Sequence, residues 1–87
     1  MQIKSINNTN FGLIRGTKTI YHPNKKIISD TIYLQNGNSV KINKTYDKYN
    51  NLIEKFTCLH DNFGDWIKLK VDTIKNGKII NTFKGEK

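Results

Sequence analysis

Turn-forming residues return along this chain every 12 to 14 positions, and that rhythm constrains the fold more than any other feature. The turns are His22-Pro23-Asn24-Lys25, Gln35-Asn36-Gly37-Asn38, Tyr49-Asn50-Asn51, Asn62-Phe63-Gly64-Asp65 and Lys75-Asn76-Gly77-Lys78. Asn-Gly occurs twice, and it is a strong hairpin signal because both central residues of a type I′ turn need positive φ. Asn50-Asn51 serves in the same way, since Asn tolerates the left-handed region. The segments between turns are rich in Ile, Val, Thr, Tyr and Phe, which suit a pleated surface. Alanine is absent, β-branched residues dominate, and no window shows a helical period.

Alternation supplies the inward sets. Ile67, Leu69 and Val71 alternate with Lys68, Lys70 and Asp72, and Val40, Ile42 and Tyr46 with Lys41, Asn43 and Thr45. Ile28, Ile32 and Leu34 form the inward set of 27–34. The segment 52–60 is apolar on both sides, with Leu52, Phe56 and Cys58 against Ile53 and Leu59, which predicts a central strand covered twice. The expectation is one all-β domain over residues 1–87, an antiparallel hairpin meander of six to seven strands forming an open sheet or a small barrel. Within it, residues 1–10 read as an N-terminal edge strand or loop, 21–83 as hairpin repeats and 84–87 as a frayed tail. Gly12 and Gly16 flank Leu13-Ile14-Arg15, which matches no phosphate-loop motif and opens no helix, and reads as a bulge or bent strand.

The turns lie inside a longer repeat. Residues 46–55, Tyr-Asp-Lys-Tyr-Asn-Asn-Leu-Ile-Glu-Lys, are echoed 14 positions later by His-Asp-Asn-Phe-Gly-Asp-Trp-Ile-Lys-Leu at 60–69. Weaker copies start at Tyr21, Tyr33 and Ile74. Each copy ends one strand, makes a polar turn and begins the next strand with two apolar residues. Over about residues 21–85 this resembles the YD-repeat (Rhs-like) hairpin family, whose units run Tyr-Asp-x-x-Gly-Asn before apolar residues. The chain departs from that pattern where Asn50 replaces the glycine, Asp65 the asparagine and His60 the tyrosine. The resemblance implies a fold more than a role, because long members of the family wrap shells from dozens of repeats and five hairpins cannot enclose anything.

Charge and size bound the function. Fifteen basic against seven acidic residues give +8, which favours polyanionic partners: RNA, DNA, an acidic protein face or anionic lipid. Fourteen of the fifteen are lysine, and lysine, asparagine and isoleucine together make 39 of the 87 residues, so AT-rich coding explains the excess equally well. Arg15 alone offers the bidentate fork preferred for phosphate and guanine. The single Cys58 permits no intrachain disulfide, residues 1–12 contain no apolar run like a secretion signal, and no segment is long enough for a membrane span. The expected setting is cytoplasmic, with no membrane partner and no cofactor. A thin core on so short a chain favours surface binding over an enclosed active site.

Three constellations carry candidate chemistry. Cys58 and His60, two apart on a strand, share a face as a nucleophilic pair or half a metal site would, but no third ligand lies near, and a semi-buried thiol is the simpler reading. Arg15, His22, His60 and Glu54 are the residues a small RNase toxin would use, although such toxins commonly mix helices with a sheet and none is expected here. The third is a basic, aromatic sheet face: Lys41, Lys68 and Lys70 outward, Lys18, Lys44, Lys55 and Lys78 nearby, with Trp66, Tyr49 and Phe63 at or beside turns. Its plain counterpart is a solvated lysine face that blunts strand edges, with Trp66 and Phe63 closing the core. No catalytic or metal site is expected. The contact residues expected for a partner or nucleic acid are Lys41, Lys68, Lys70, Trp66, Tyr49, Phe63 and Arg15. Together these point to a non-enzymatic binding protein, foremost an accessory or mobile-element inhibitor docking on a nuclease or ribonucleoprotein, as anti-CRISPR proteins do. A direct RNA or DNA binder, a YD-like antitoxin, immunity or surface module, an RNase toxin, and a homodimer formed through a sheet edge are the other expectations.

Overall fold

The computed structural model describes residues 13–87, so the expectations for 1–10 and for Gly12 lie outside the described residues. Six strands run in chain order: β1 (Ile14–His22), β2 (Ile27–Leu34), β3 (Ser39–Tyr46), β4 (Leu52–His60), β5 (Trp66–Lys75) and β6 (Lys78–Glu86). Each pairs antiparallel with its chain neighbours, giving one six-stranded sheet in the order β1-β2-β3-β4-β5-β6. Among the described residues the meander is open, with β1 and β6 as its two edges. Among the described residues the only helical element is a single 3₁₀ turn, Pro23–Lys25, which links β1 to β2 and closes on Lys26 in the left-handed region. No helix among the described residues is long and apolar enough to cross a membrane.

Three of the five connections share one construction. The loops begin at Leu34, Asp47 and Asp61, and in each the first residue's N–H donates to the carbonyl of the fifth, at 2.9, 2.9 and 2.8 Å. In each the fourth residue's N–H returns to the carbonyl of the first, at 3.1, 3.0 and 3.1 Å. That fourth residue, Gly37, Asn50 or Gly64, has positive φ (93°, 68° and 87°), as a three-residue hairpin loop requires. The repeated aspartate caps the loop. Asp47 Oδ1 accepts from the N–H groups of Tyr49 (2.8 Å) and Asn51 (2.9 Å). Asp61 Oδ1 accepts from Phe63 (2.9 Å) and Asp65 (3.0 Å). Where Leu34 occupies the aspartate position, Asn36 Oδ1 takes the Asn38 N–H instead, at 2.9 Å. The type I′ geometry expected of both Asn-Gly pairs is found only at Asn76-Gly77, where both φ values are positive; at Asn36-Gly37 only the glycine's is.

The two apolar residues that follow each of the last three turns also have a structural meaning. The register slips by one residue at Ile53, Ile67 and Ile80, each the second of a pair (Leu52-Ile53, Trp66-Ile67, Ile79-Ile80). A bulge absorbs the extra residue on the incoming strand; of the three pairs only Trp66-Ile67 is part-buried at both positions, while Ile53, Ile79 and Ile80 stay exposed. Arg15 is the corresponding extra residue on β1, which places the expected bulge beside Gly16.

Directly paired residues share a face, so the registers resolve the sheet into rows. On one face, here the Val40 face, the rows are Thr17-Ile32-Val40-Leu59-Lys68-Glu86, Thr19-Asp30-Ile42-Thr57-Lys70-Lys84 and Tyr21-Ile28-Lys44-Lys55-Asp72-Thr82. On the other, the Cys58 face, they are Lys18-Thr31-Lys41-Cys58-Leu69-Gly85, Ile20-Ser29-Asn43-Phe56-Val71-Phe83 and His22-Ile27-Thr45-Glu54-Thr73-Asn81. The apolar side changes at β4. Across β2 and β3 the apolar residues Ile28, Ile32, Val40 and Ile42 lie on the Val40 face, with Ile27 and Tyr33 opposite; across β5 and β6 Leu69, Val71 and Phe83 lie on the Cys58 face, with Ile74 and Ile79 opposite. β4 serves both, Leu59 completing the first set and Phe56 and Cys58 beginning the second. The two-sided pattern of 52–60 thus marks a central strand, but among the described residues no second layer covers either side. Among the described residues the buried apolar ones are Leu34, Val40 and Cys58.

Both outer seams carry the same polar latch. On the Val40 face Thr82 Oγ1 on edge strand β6 donates to Asp72 Oδ1 on β5 at 2.8 Å. At the opposite edge Thr19 Oγ1 on β1 donates to Asp30 Oδ1 on β2 at 2.6 Å. Asp72 is buried at 3% exposure and has a second partner in Lys70 Nζ, 3.7 Å from Oδ2. β6 is continuous through Glu86, so residues expected to fray form the last rungs: Gly85 lies against Leu69, and Lys87 N–H donates to the Ile67 carbonyl at 3.0 Å.

Candidate functional site

A groove of about 670 Å³ crosses the Val40 face at the end where the β2–β3 and β4–β5 turns meet. Leu34, Val40 and Leu59 form an apolar floor, and Lys68, Lys70 and Lys84 line it from β5 and β6. The polarity change at β4 produces this contrast, bringing the apolar half-face of β2 and β3 alongside the lysine half-face of β5 and β6. Asn36 and Asn38 close the turn end. Lys68 Nζ lies 3.6 Å from Glu86 Oε2, and Lys70 leans toward Asp72. These pairs are largely solvent-exposed on the lysine side and hold the ammonium groups only weakly. Lys84 has no ion pair among the described residues. Lys44 and Lys55, paired directly across β3 and β4, extend the basic surface along the same face.

The single basic and aromatic face expected from the sequence divides into two. Lys68 and Lys70 belong to the Val40 face, whereas Lys41, opposite Cys58, belongs to the other, with Lys18 beside it. The reason is the switch at β4, which alternation within separate strands does not reveal. The aromatic residues stand apart from the groove lysines. Tyr49 (73% exposed) caps the β3–β4 turn at one end of the sheet, with Lys48 Nζ 5.2 Å from its ring centre. Phe63 (84% exposed) tops the β4–β5 turn at the other end. It closes no core there; Trp66, half-buried, starts β5 with Lys87 Nζ 5.6 Å from its ring centre. Arg15 stacks on Tyr33 of the Cys58 face at 5.5 Å. Lys78 sits at the β5–β6 turn.

The Cys58 face holds a smaller depression of about 470 Å³, lined by Lys18, Lys41, Tyr33, His22 and His60 among others. His22 and His60 stand at its opposite ends. His60 shares a row with Ser39 and Tyr33, His22 a row with Thr45 and Glu54, and those rows are six residues apart, about 20 Å along the strands. Arg15, His22, His60 and Glu54 are therefore not gathered around one phosphate. Cys58 and His60 do meet, with Sγ 3.8 Å from Nε2. Burial pushes the Cys58 thiol up from its ordinary value, against a smaller pull from the Lys41 charge, so the sulfur stays a neutral thiol near pH 7. Among the described residues no three His, Cys, Asp or Glu side chains cluster as a metal site would need.

Lys84 lines the groove but is not among the contact residues expected from the sequence, because 84–87 has the look of a tail. The alternation of Thr82, Lys84 and Glu86 with Phe83 is the signal that locates it on a strand face. No protein-family model matches the chain, and comparison with curated proteins and with solved structures returns no match.

Proposed function

We propose that this chain is a non-enzymatic binding module that docks on an acidic protein surface through the groove of the Val40 face. The observation that carries this reading is the groove itself: lysines 68, 70 and 84 beside an aliphatic floor of Leu34, Val40 and Leu59. Aliphatic floors accept a leucine-like or methionine-like side chain, and lysine walls accept the carboxylates around it. A platform for single-stranded nucleic acid would instead set aromatic rings among the lysines, and the exposed aromatics Tyr49 and Phe63 stand at the hairpin tips. A fitting role is an accessory inhibitor that occludes an acidic face of a nuclease or ribonucleoprotein, in the manner of anti-CRISPR proteins. An interface of about 800 Å² per partner would occupy most of this face.

One observation favours a second reading, direct RNA binding by the opposite face. There Lys18 and Lys41 lie near the Arg15–Tyr33 stack, a mixture of charge and rings that suits bases and phosphates. Because the two sites lie on opposite faces, two variants separate them. Capture from the native host, with and without RNase, is performed with wild type, Lys70→Glu/Lys84→Glu and Lys41→Glu. A discrete protein that survives RNase and disappears with the first variant supports the groove. RNA alone, lost with Lys41→Glu and with rising salt, overturns it in favour of the second face.

A further inference from the structure

β6 is an edge whose pairing groups can be read from a single hydrogen bond. Lys87 N–H donates to the Ile67 carbonyl, and in the β5–β6 register these two residues stand directly opposite. They are therefore a hydrogen-bonded antiparallel pair, and alternation carries that character to Leu69–Gly85, Val71–Phe83 and Thr73–Asn81. The N–H and C=O groups of Thr82, Lys84 and Glu86 consequently point away from β5, off the sheet. No described residue pairs with them. From Asn81 to Glu86 the strand holds regular register with β5 and has no proline, and the bulge at Ile80 lies outside this stretch. Such an edge is a template for another strand.

We propose that the strand it takes is β6 of a second copy of this chain, antiparallel, about a two-fold axis passing at Phe83. Only registers that oppose outward-facing residues close hydrogen bonds, so Thr82 meets Thr82, Lys84 or Glu86 of the second copy. The last sets Lys84 against Lys84, a like-charge pair. The first sets Phe83 against Asn81 and runs the ladder into the Ile80 bulge. The middle register sets Lys84 against Thr82 and Phe83 against Phe83, in the closer, non-hydrogen-bonded kind of pair where aromatic side chains gain most. Phe83 is 60% exposed in the single chain. The apolar row Phe56-Val71-Phe83 then continues into Phe83, Val71 and Phe56 of the second copy. An axis perpendicular to the sheet keeps both Val40 faces on one side, so the result is a twelve-stranded sheet with two grooves side by side. The inference stands on the edge geometry and does not depend on what the grooves bind.

A six-residue edge is smaller than the roughly 800 Å² per partner of a standard complex, so the dimer should be weak and its population should depend on protein concentration. Each copy carries +8, so added salt relieves repulsion and tightens the dimer, the reverse of its effect on polyanion binding. Sedimentation velocity over a concentration series at low and high salt should show a monomer–dimer equilibrium that strengthens with salt. Lys84→Pro removes an N–H that β5 does not use; it should preserve the β circular-dichroism spectrum and weaken the dimer at least tenfold. Phe83→Cys should give a disulfide-linked dimer in redox buffer, and Gly85→Cys should not. Both are made with Cys58 retained and with Cys58→Ala, so a background that fails to fold does not decide the outcome. A monomer under all conditions overturns the proposal. So does a dimer indifferent to Lys84→Pro, or a ladder of higher oligomers, the mark of β6 pairing head-to-tail with β1.

Discussion

At the scale of single residues, the turns show why particular side chains recur. Asp47 and Asp61 each collect two loop N–H groups on one carboxylate oxygen, and the left-handed residue three positions on lets the chain reverse. Gly37 is under a double demand: its φ is +93°, and an added Cβ would lie 2.8 Å from Asn62 Cβ in the neighbouring hairpin tip. Gly77 has a φ of +78° with open space around it. Gly77→Ala should cost about 1 kcal/mol of backbone strain, and Gly37→Ala distinctly more, as read by urea denaturation. Asp47 supplies a pH signature. Hydrogen bonds from the Asn51 and Tyr49 backbones and the Asn51 side chain, with the nearby Lys26 charge, hold its carboxyl below the ordinary value. Its contribution to stability is present above the unfolded value, about 3.9, and is lost as pH falls through the lower folded value. Asp47→Asn should therefore flatten the loss of melting temperature on acidification, measured by thermal melts from about pH 6 to pH 2. These aspartates were legible as a repeat in the sequence; that Asn36 replaces the missing cap beside Leu34 was not, because it acts from a different loop position.

Among the elements, the interior strands were the most legible. β2 and β4 fall where alternation and turn residues placed them, since both neighbours of an interior strand reinforce its pattern. The edges were harder. β1 is interrupted by its bulge, and β6 pairs along one side only, so exposed residues such as Ile79, Ile80 and Phe83 carry no clean inward set. Both edges are nonetheless fastened alike, by a threonine donating to an aspartate on the adjoining strand. The two latches should differ in strength. Thr82→Val leaves the buried Asp72 short of a donor and should cost about 1–3 kcal/mol. Thr19→Val leaves Asp30 half-exposed with water available, and should change stability by no more than about 0.5 kcal/mol. Chemical denaturation of the two variants in parallel reads the difference, and equal losses would contradict the burial argument.

For the whole molecule, the decisive feature is that the apolar side of the sheet changes at β4. Each strand's own alternation was readable, but the side it turns relative to a distant strand depends on loop lengths and bulges summed along the chain. The lysines of a single expected face were divided for that reason. The energetics should divide as well. Val40→Ala and Leu59→Ala, paired on one face, should couple in a double-mutant cycle, while Val40→Ala and Val71→Ala, on opposite faces, should add to within about 0.5 kcal/mol. The change of side also leaves a mark that needs no structure to detect. In a saturation scan read by folding, intolerance should beat at every second position, on even numbers through Ile28, Ile32, Val40 and Ile42. At β4 the beat should lose its phase, with Cys58 and Leu59 both intolerant, and it should resume on odd numbers at Leu69 and Val71. The chain would thus carry, as a one-residue slip in its pattern of tolerated letters, the record of a sheet with two half-insides.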